Sequence, residues 1–208
     1  MISSVYIRSV VACATLAFVC FTNLTGQRQT FRQYGSQEGL TNLTVSDVLQ
    51  DRTGFIWVGT ENGLFRYDGG SFRHFGHEDG LPSTEVRGLA QAPDGSLWVA
   101  TSDGVARGSA RGFKLVATGT AESAGTVAFD GMGRAYLTYP FGIVRGVPNG
   151  AGSYLFHTVV SGTSYGLSVD GEDVWFVKNG DVWRLSLRIS WSEWARPTGC
   201  RPTLGGLS

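Results

Sequence analysis

From Gly35 onward the apolar residues come in bursts of four or five, such as "FIWV", "LFRY", "SLWV" and "AYLTY", and Gly or Pro interrupts nearly every ten residues. Bursts this short cannot supply the sustained 3.6-residue periodicity of an amphipathic helix. Their β-branched and aromatic side chains fit a pleated surface instead, which predicts strands. They lack clean polar-outward alternation, as expected of strands covered on both faces. The segments around them supply turns. "DRTG" and "PDGS" carry an Asp that bonds its own backbone and a Gly that tolerates positive φ. A second turn, "ENG" or "SDG", leads into the next burst, and a break at Gly69-Gly70 leads to "SFRHF". A longer polar loop, "GHEDGLPSTE", then reaches another strand near Val86. The pattern predicts four short strands per unit.

That unit repeats. Phe31, Gly39, Leu40, Val45, Gly54, Trp57, Thr60, Gly63 and Arg66 recur 41 residues later as Phe72, Gly80, Leu81, Val86, Gly95, Trp98, Thr101, Gly104 and Arg107. A period near 40 residues with four strands each is the signature of a propeller blade or a similar stacked repeat. The copies continue in weaker form, with Tyr136 and then Trp175 at the position of Trp57 and Trp98, and Arg145 and Arg184 at that of Arg66 and Arg107. The expected architecture is therefore an all-β propeller of four-stranded antiparallel blades. About four blades are expected, near residues 31–71, 72–112, 113–152 and 153–187, forming an incomplete arc.

Composition changes this picture little. Hydrophobic residues make up 42% of the 208, charged residues 16%, and 17 basic residues balance 17 acidic ones. The chain can build a core, and no net field draws it to nucleic acid. The N-terminus changes more. Arg8, the apolar run Val10–Phe21 and the small polar residues after it read as a secretory signal peptide over residues 1–26. The expected destination is periplasmic or extracellular, with an uncleaved membrane anchor the weaker reading because the run is short of the ~20 residues a spanning helix needs. Loss of Cys13 and Cys20 with the signal leaves Cys200 alone, so packing and not disulfides must hold the fold. Residues 188–208, rich in Arg-Pro and Gly, read as an irregular tail.

"GLTNLTVSDVLQDRTGFIWVGTENGLFRYDG" and "GLPSTEVRGLAQAPDGSLWVATSDGVAR" resemble the bacterial two-component regulator propeller repeat, marked by Gly-Leu-Pro, Asp-x-x-Gly, Trp-Val-Gly-Thr and Gly-Leu-x-Arg. Residues 31–107 resemble it well and 113–185 weakly. The resemblance implies an exported sensor domain for a small soluble ligand, carbohydrate in some relatives, without a cofactor. In such proteins an Ig-like domain, a membrane helix and a kinase or cyclase follow. No motif of these is readable here, so the expectation is a sensor segment lacking its output domains. An open end of such a segment would invite self-association or docking of missing blades.

On this reading the "ENG"-type turns and the "GHEDGLPSTE" loop share one face, opposite "DRTG". The candidate ligand contacts are Glu61, Asn62, Ser83, Glu85, Arg87 and Asp103, with Glu85 and Arg87 foremost because they lie two residues apart at the start of an inner strand. Asp79 and Asp103 precede glycines and are expected chiefly to close turns. Trp57, Trp98, Tyr136 and Trp175 are expected to pack blade against blade. No metal site is expected, because His74 and His77 lack the further ligands that zinc wants. A catalytic alternative comes from streptogramin lyases, which resemble this chain in their Trp-centred blades. It is disfavoured because only His74, His77 and His157 are available, and no hydrolase, zinc-protease or phosphate-loop motif is present. A purely structural interaction module is the remaining alternative.

Overall fold

The computed structural model describes residues 30–186, apart from 117, 119–121 and 151. The proposed signal segment and tail lie outside these residues. Residues 34–186 carry four antiparallel sheets, each built from strands consecutive in the chain. The first holds β1 (Val45–Gln50), β2 (Ile56–Thr60), β3 (Gly63–Tyr67) and β4 (Phe72–Phe75). The second holds β5 (Val86–Gln91), β6 (Leu97–Thr101), β7 (Gly104–Ser109) and β8 (Gly112–Leu115). The third holds β9 (Val127–Phe129), β10 (Ala135–Tyr139), β11 (Gly142–Pro148) and β12 (Tyr154–Ser161). The fourth holds β13 (Ser164–Asp170), β14 (Asp173–Lys178) and β15 (Asp181–Ser186), three strands among the described residues where four were expected. The inner strands β1, β5, β9 and β13 lie side by side in that order, which makes the sheets the blades of a β-propeller.

The sheets and the sequence units share a period but not a phase. Phe72 opens the second sequence unit, yet β4 is the outermost strand of the first sheet, and β12 closes the third sheet although it falls in the fourth unit. Recurrence fixes the spacing of equivalent residues, whereas hydrogen bonding decides where a sheet ends.

Each blade repeats one cross-strand pair. Trp57 lies opposite Arg66, Trp98 opposite Arg107, Tyr136 opposite Arg145 and Trp175 opposite Arg184. Residues directly opposite share a sheet face. The guanidinium carbons of Arg66, Arg107 and Arg184 accordingly sit 5.8, 6.0 and 5.6 Å from the partner ring centres, within cation–π range. These arginines thus cover aromatic faces; the side chain of Arg184 stays 40% exposed, whereas Arg66 Nε is buried.

The core lies between blades. Trp57, Leu64 and Phe75 of the first blade pack on Leu81, Val86, Leu97, Val99 and Phe113 of the second. Trp98 and Val105 meet Val127, Ala135, Leu137 and Val144 of the third blade, and Tyr136, Ile143 and Val160 meet Val174 and Phe176 of the fourth. Trp57, Trp98 and Tyr136 are buried, and Trp175 is half-buried.

The polar loops contain single 3-10 turns at Ser36–Glu38 and His77–Asp79. Glu38 and Asp79 accept bonds from the backbone N–H of Gly35 and Gly76, and Gly39 and Gly80 close the turns with φ near +94°. A Cβ at Gly80 would lie 2.1 Å from the carbonyl oxygen of Phe113, so the turn is pressed against the second blade where only glycine fits.

Candidate functional site

Two places on the propeller present polar side chains in numbers. The first is the rim expected from the sequence. Here the 76–85 loop is tied to the β2–β3 turn by a bond from Gly63 N–H to the Thr84 carbonyl (2.7 Å), and to the β6–β7 turn by one from Ser102 N–H to the Glu85 carbonyl (3.1 Å). Glu61, Asn62, Ser83, Glu85 and Asp103 therefore lie along one rim, with Arg87 just inside it.

Most polar groups of this rim are engaged with each other. Ser83 is buried, and its Oγ accepts from Ser102 Oγ at 2.7 Å and from Glu85 N–H at 3.2 Å. The Asn62 carbonyl oxygen is 2.9 Å from His74 Nε2, and Asp103 N–H donates to Thr101 Oγ1. Arg87 donates through Nε and Nη2 to Glu85 Oε1 at 3.2 and 2.9 Å, and both side chains are exposed. Arg87 stands at a bulge where the pairing of β5 with β6 slips between Val86 and Gly88, and bulges re-aim side chains. Ser46 fills the equivalent bulge of β1 and donates to the Val86 carbonyl, so the first blade spends this position on joining blades.

The second place was not foreseen. A groove of about 770 Å³ opens between the outer strands of the second and third blades, lined among others by Asp94, Ser96, Trp98, Arg107, Lys114 and Tyr154. Its aromatic wall is Tyr154, which the fully buried Trp98 supports edge-to-face at 4.9 Å. Arg107 lies against both rings and donates to Asp94, to Ser96 Oγ and to the Gly152 carbonyl. Burial works against the Asp94 carboxylate, but bonds from the Ser96 hydroxyl and backbone and the charge of Arg107 hold its pKa below the usual value. Burial pushes the Tyr154 phenol up, so it remains a neutral hydroxyl at physiological pH.

One residue makes this part of the second blade unlike its neighbours. In the first blade the Trp57 indole N–H donates to Asp51 Oδ2 at 2.8 Å, and in the third the Tyr136 hydroxyl donates to Asp130 Oδ2 at 3.1 Å. Ala92 occupies the equivalent place in the second blade, and the buried Trp98 Nε1 has no partner. The substitution was visible in the sequence as Asp51, Ala92, Asp130. The groove was not, because Asp94, Arg107, Lys114 and Tyr154 come from four separate strands and turns.

Histidines are spent elsewhere. His77 Nδ1 lies 3.0 Å from the Leu81 carbonyl, and His157 Nε2 accepts from Arg145, with burial first and Arg145 second lowering its pKa. Among the described residues no group of three or more His, Cys, Asp or Glu is placed to hold a metal ion.

The family model described as two component regulator propeller matches residues 39–62 and 80–103, the turn-to-turn stretches that carry Trp57 and Trp98. These two stretches are similar to the two component regulator propeller repeat. No curated protein matches it in sequence. Among solved structures, the propeller is similar to the extracellular domain of a hybrid two component system from B. thetaiotaomicron, with a TM-score of 0.57 and 18% identity over 67% of this chain and 21% of that one. It is also similar to virginiamycin B lyase from Staphylococcus aureus, with a TM-score of 0.60 and 14% identity over 79% of this chain and 58% of the lyase. A gluconolactonase from Xanthomonas campestris gives a TM-score of 0.51 and 15% identity over 68% of this chain and 56% of the enzyme. At these identities the likeness is one of fold. The chain spans about a fifth of the two component protein's domain and under three fifths of either enzyme. No helix of the described residues is long and apolar enough to cross a membrane.

Proposed function

We propose that this chain is a non-catalytic, exported sensor segment of a two-component-type signalling protein, and that it binds a small polar ligand of the carbohydrate class. The observation that carries the reading is the groove between the second and third blades. It combines an aromatic wall with an Asp94–Arg107 pair and Lys114 at its edge, and ligand sites are typically apolar clefts of ~300–1,000 Å³ with a few fixed polar groups. A sugar offers both an apolar face for Tyr154, which the buried Trp98 backs edge-to-face, and hydroxyls for the charged pair. The similarity to an extracellular domain of a two component system supports export and sensing, and the apolar N-terminal run supports export independently.

The lyase and lactonase likenesses do not favour catalysis in this chain. General acid–base work needs a titratable group within reach of a bound substrate. The titratable groups of the groove are Lys114, Asp94, which is paired with Arg107, and Tyr154, whose phenol burial pushes up, while His74, His77 and His157 are engaged with backbone or Arg145 away from it.

Calorimetry of the full chain against a panel of soluble oligosaccharides tests the reading. A hit should be weakened at least tenfold by Tyr154→Ala and left unchanged by the double change Glu85→Ala with Arg87→Ala. The reverse result moves the site to the loop rim, where the milder effect of the double change relative to the worse single one would mark a coupled ion pair. Absence of any binder rejects the carbohydrate class.

A further inference from the structure

The two ends of the propeller carry complementary halves of the interface that the chain builds three times internally. At each internal junction, the face of one blade presents an aromatic on its second strand and an aliphatic at the start of its third. These are Trp57 with Leu64, Trp98 with Val105, and Tyr136 with Ile143, and all six are buried. The facing blade answers with residues such as Val86, Leu89 and Val99, also buried. The fourth blade presents the first half again, as Trp175 and Val182, but Val182 is 50% exposed where Leu64, Val105 and Ile143 are fully buried. The first blade presents the answering half, as Val45 and Val48, while Val58, the counterpart of Val99, is already buried with Leu40 and Phe65. There Val45 is 44% and Val48 58% exposed, where their counterparts Val86 and Leu89 are 1% and 7%.

Strand count points the same way. The 41-residue phase aligns "FRQYGSQEGL" at 31–40 with "FRHFGHEDGL" at 72–81, so residues 31–34 correspond to β4, the outermost strand of a blade. Tyr34 already behaves as the counterpart of Phe75. Its ring lies 6.1 Å from Phe72 edge-on, as Phe75 lies 6.0 Å from Phe113 edge-on. Among the described residues, the chain thus holds an outermost strand in sequence with no inner strands before it, and a fourth sheet of three strands with no fourth. Phe31, the counterpart of Phe72, is 88% exposed and lies outside any strand.

We infer that a second copy of this chain docks head-to-tail, its fourth blade against the first blade of the other. Residues 31–34 of one copy then become the fourth strand of the sheet β13–β15 of its partner. Trp175 and Val182 meet Val45 and Val48 as Trp57 and Leu64 meet Val86 and Leu89. This interface is heterologous, with two different patches in contact, and such interfaces form rings when the rotation closes. Two copies of the four described blades, joined at both ends, make eight, within the range of closed propellers. The inference stands on the repeat and the end faces, independently of any ligand.

Light scattering coupled to gel filtration on the full chain tests it, with the expected result a mass twice that of the monomer. Val48→Asp and Val182→Asp alter residues already exposed in the single chain, so each should keep its β-sheet circular dichroism. Each variant alone should lose the closed dimer. In an equimolar mixture, the intact fourth blade of the Val48→Asp chain should meet the intact first blade of the Val182→Asp chain and restore a one-junction dimer. A monomeric wild type overturns the inference, and so does a mixture that stays monomeric. Retained ligand binding in a monomeric wild type would leave the proposed function standing.

Discussion

Trp57 and Trp98 occupy equivalent positions in consecutive blades with different polar surroundings. Both are buried between blades, so truncation to alanine should cost ~3–5 kcal/mol at either site through lost burial and a residual cavity. Replacement by phenylalanine separates them. At Trp57 it removes a donor from Asp51, whose carboxylate is left in a partly desolvated turn, whereas at Trp98 it removes an N–H that already lacks an acceptor. Stranding a buried partner costs ~1–3 kcal/mol. Trp57→Phe should therefore lower the free energy of unfolding by about 1–2 kcal/mol more than Trp98→Phe, measured by denaturant titration. Equal losses would show that the Asp51 bond contributes nothing net. Gly80 makes a second test at this scale. Alanine there must adopt a left-handed φ, costing ~1–2 kcal/mol, and its Cβ must also displace the Phe113 carbonyl. Gly80→Ala should exceed that backbone figure in a thermal melt, while Gly95→Ala, with a similar φ and open space around it, should stay near it.

The turns joining the first two strands of the first three blades are small carboxylate-centred structures. In the β1–β2 turn, Asp51 accepts from the Thr53 N–H and hydroxyl, the Phe55 N–H and the Trp57 indole. Burial opposes ionisation, but these donors outweigh it and hold the pKa below 3.8, as Ser96 and Arg107 do for Asp94. A depressed folded-state pKa means a stabilisation fully present above the unfolded value near 3.8 and lost as pH falls through the lower folded value. Stability measured from pH 5 to pH 2 should therefore decline, and Asp51→Asn should flatten part of that decline. A slope unchanged in the variant would assign the acid sensitivity to other carboxylates. Much of this level was legible in the sequence. The Asp and Gly of "DRTG" and "PDGS" announce the turns, and "FIWV" and "SLWV" announce the strands, because turn geometry and pleated surfaces select residue types locally. What escaped was set by contacts distant in sequence. The phase of the sheets depends on which strand finds a hydrogen-bonding neighbour, so β12 could not be assigned to the third blade by spacing. The closure of Ser36–Glu38 and His77–Asp79 as 3-10 turns depends on Gly39 and Gly80 abutting Phe72 and Phe113. The groove depends on Ala92, an exception within the repeat, and on Tyr154, which arrives from another blade.

Across the whole molecule, stability is distributed unevenly because each blade contacts only its neighbours. In such quasi-one-dimensional arrays the interior units are held from both sides and the terminal ones from one side. The middle strands show the contrast at equal hydrogen bonding. β6 and β10 are buried at every residue, whereas β14, with the same antiparallel partner on each side, has only Val174 and Phe176 buried of its six residues. Local opening should therefore start at the ends and reach the second and third blades last. Amide hydrogen exchange on the chain at low concentration should find β14 exchanging at least tenfold faster than β6 and β10, a difference of ~1.4 kcal/mol in opening free energy. Raising the protein concentration should slow exchange in β14 and β1 while leaving β6 and β10 unchanged, because a docked second copy covers only the end blades. Uniform protection at every concentration would mean that the four blades open as one cooperative unit. It would also mean that the exposed valines of β1 and β15 need no neighbour to keep the end blades closed.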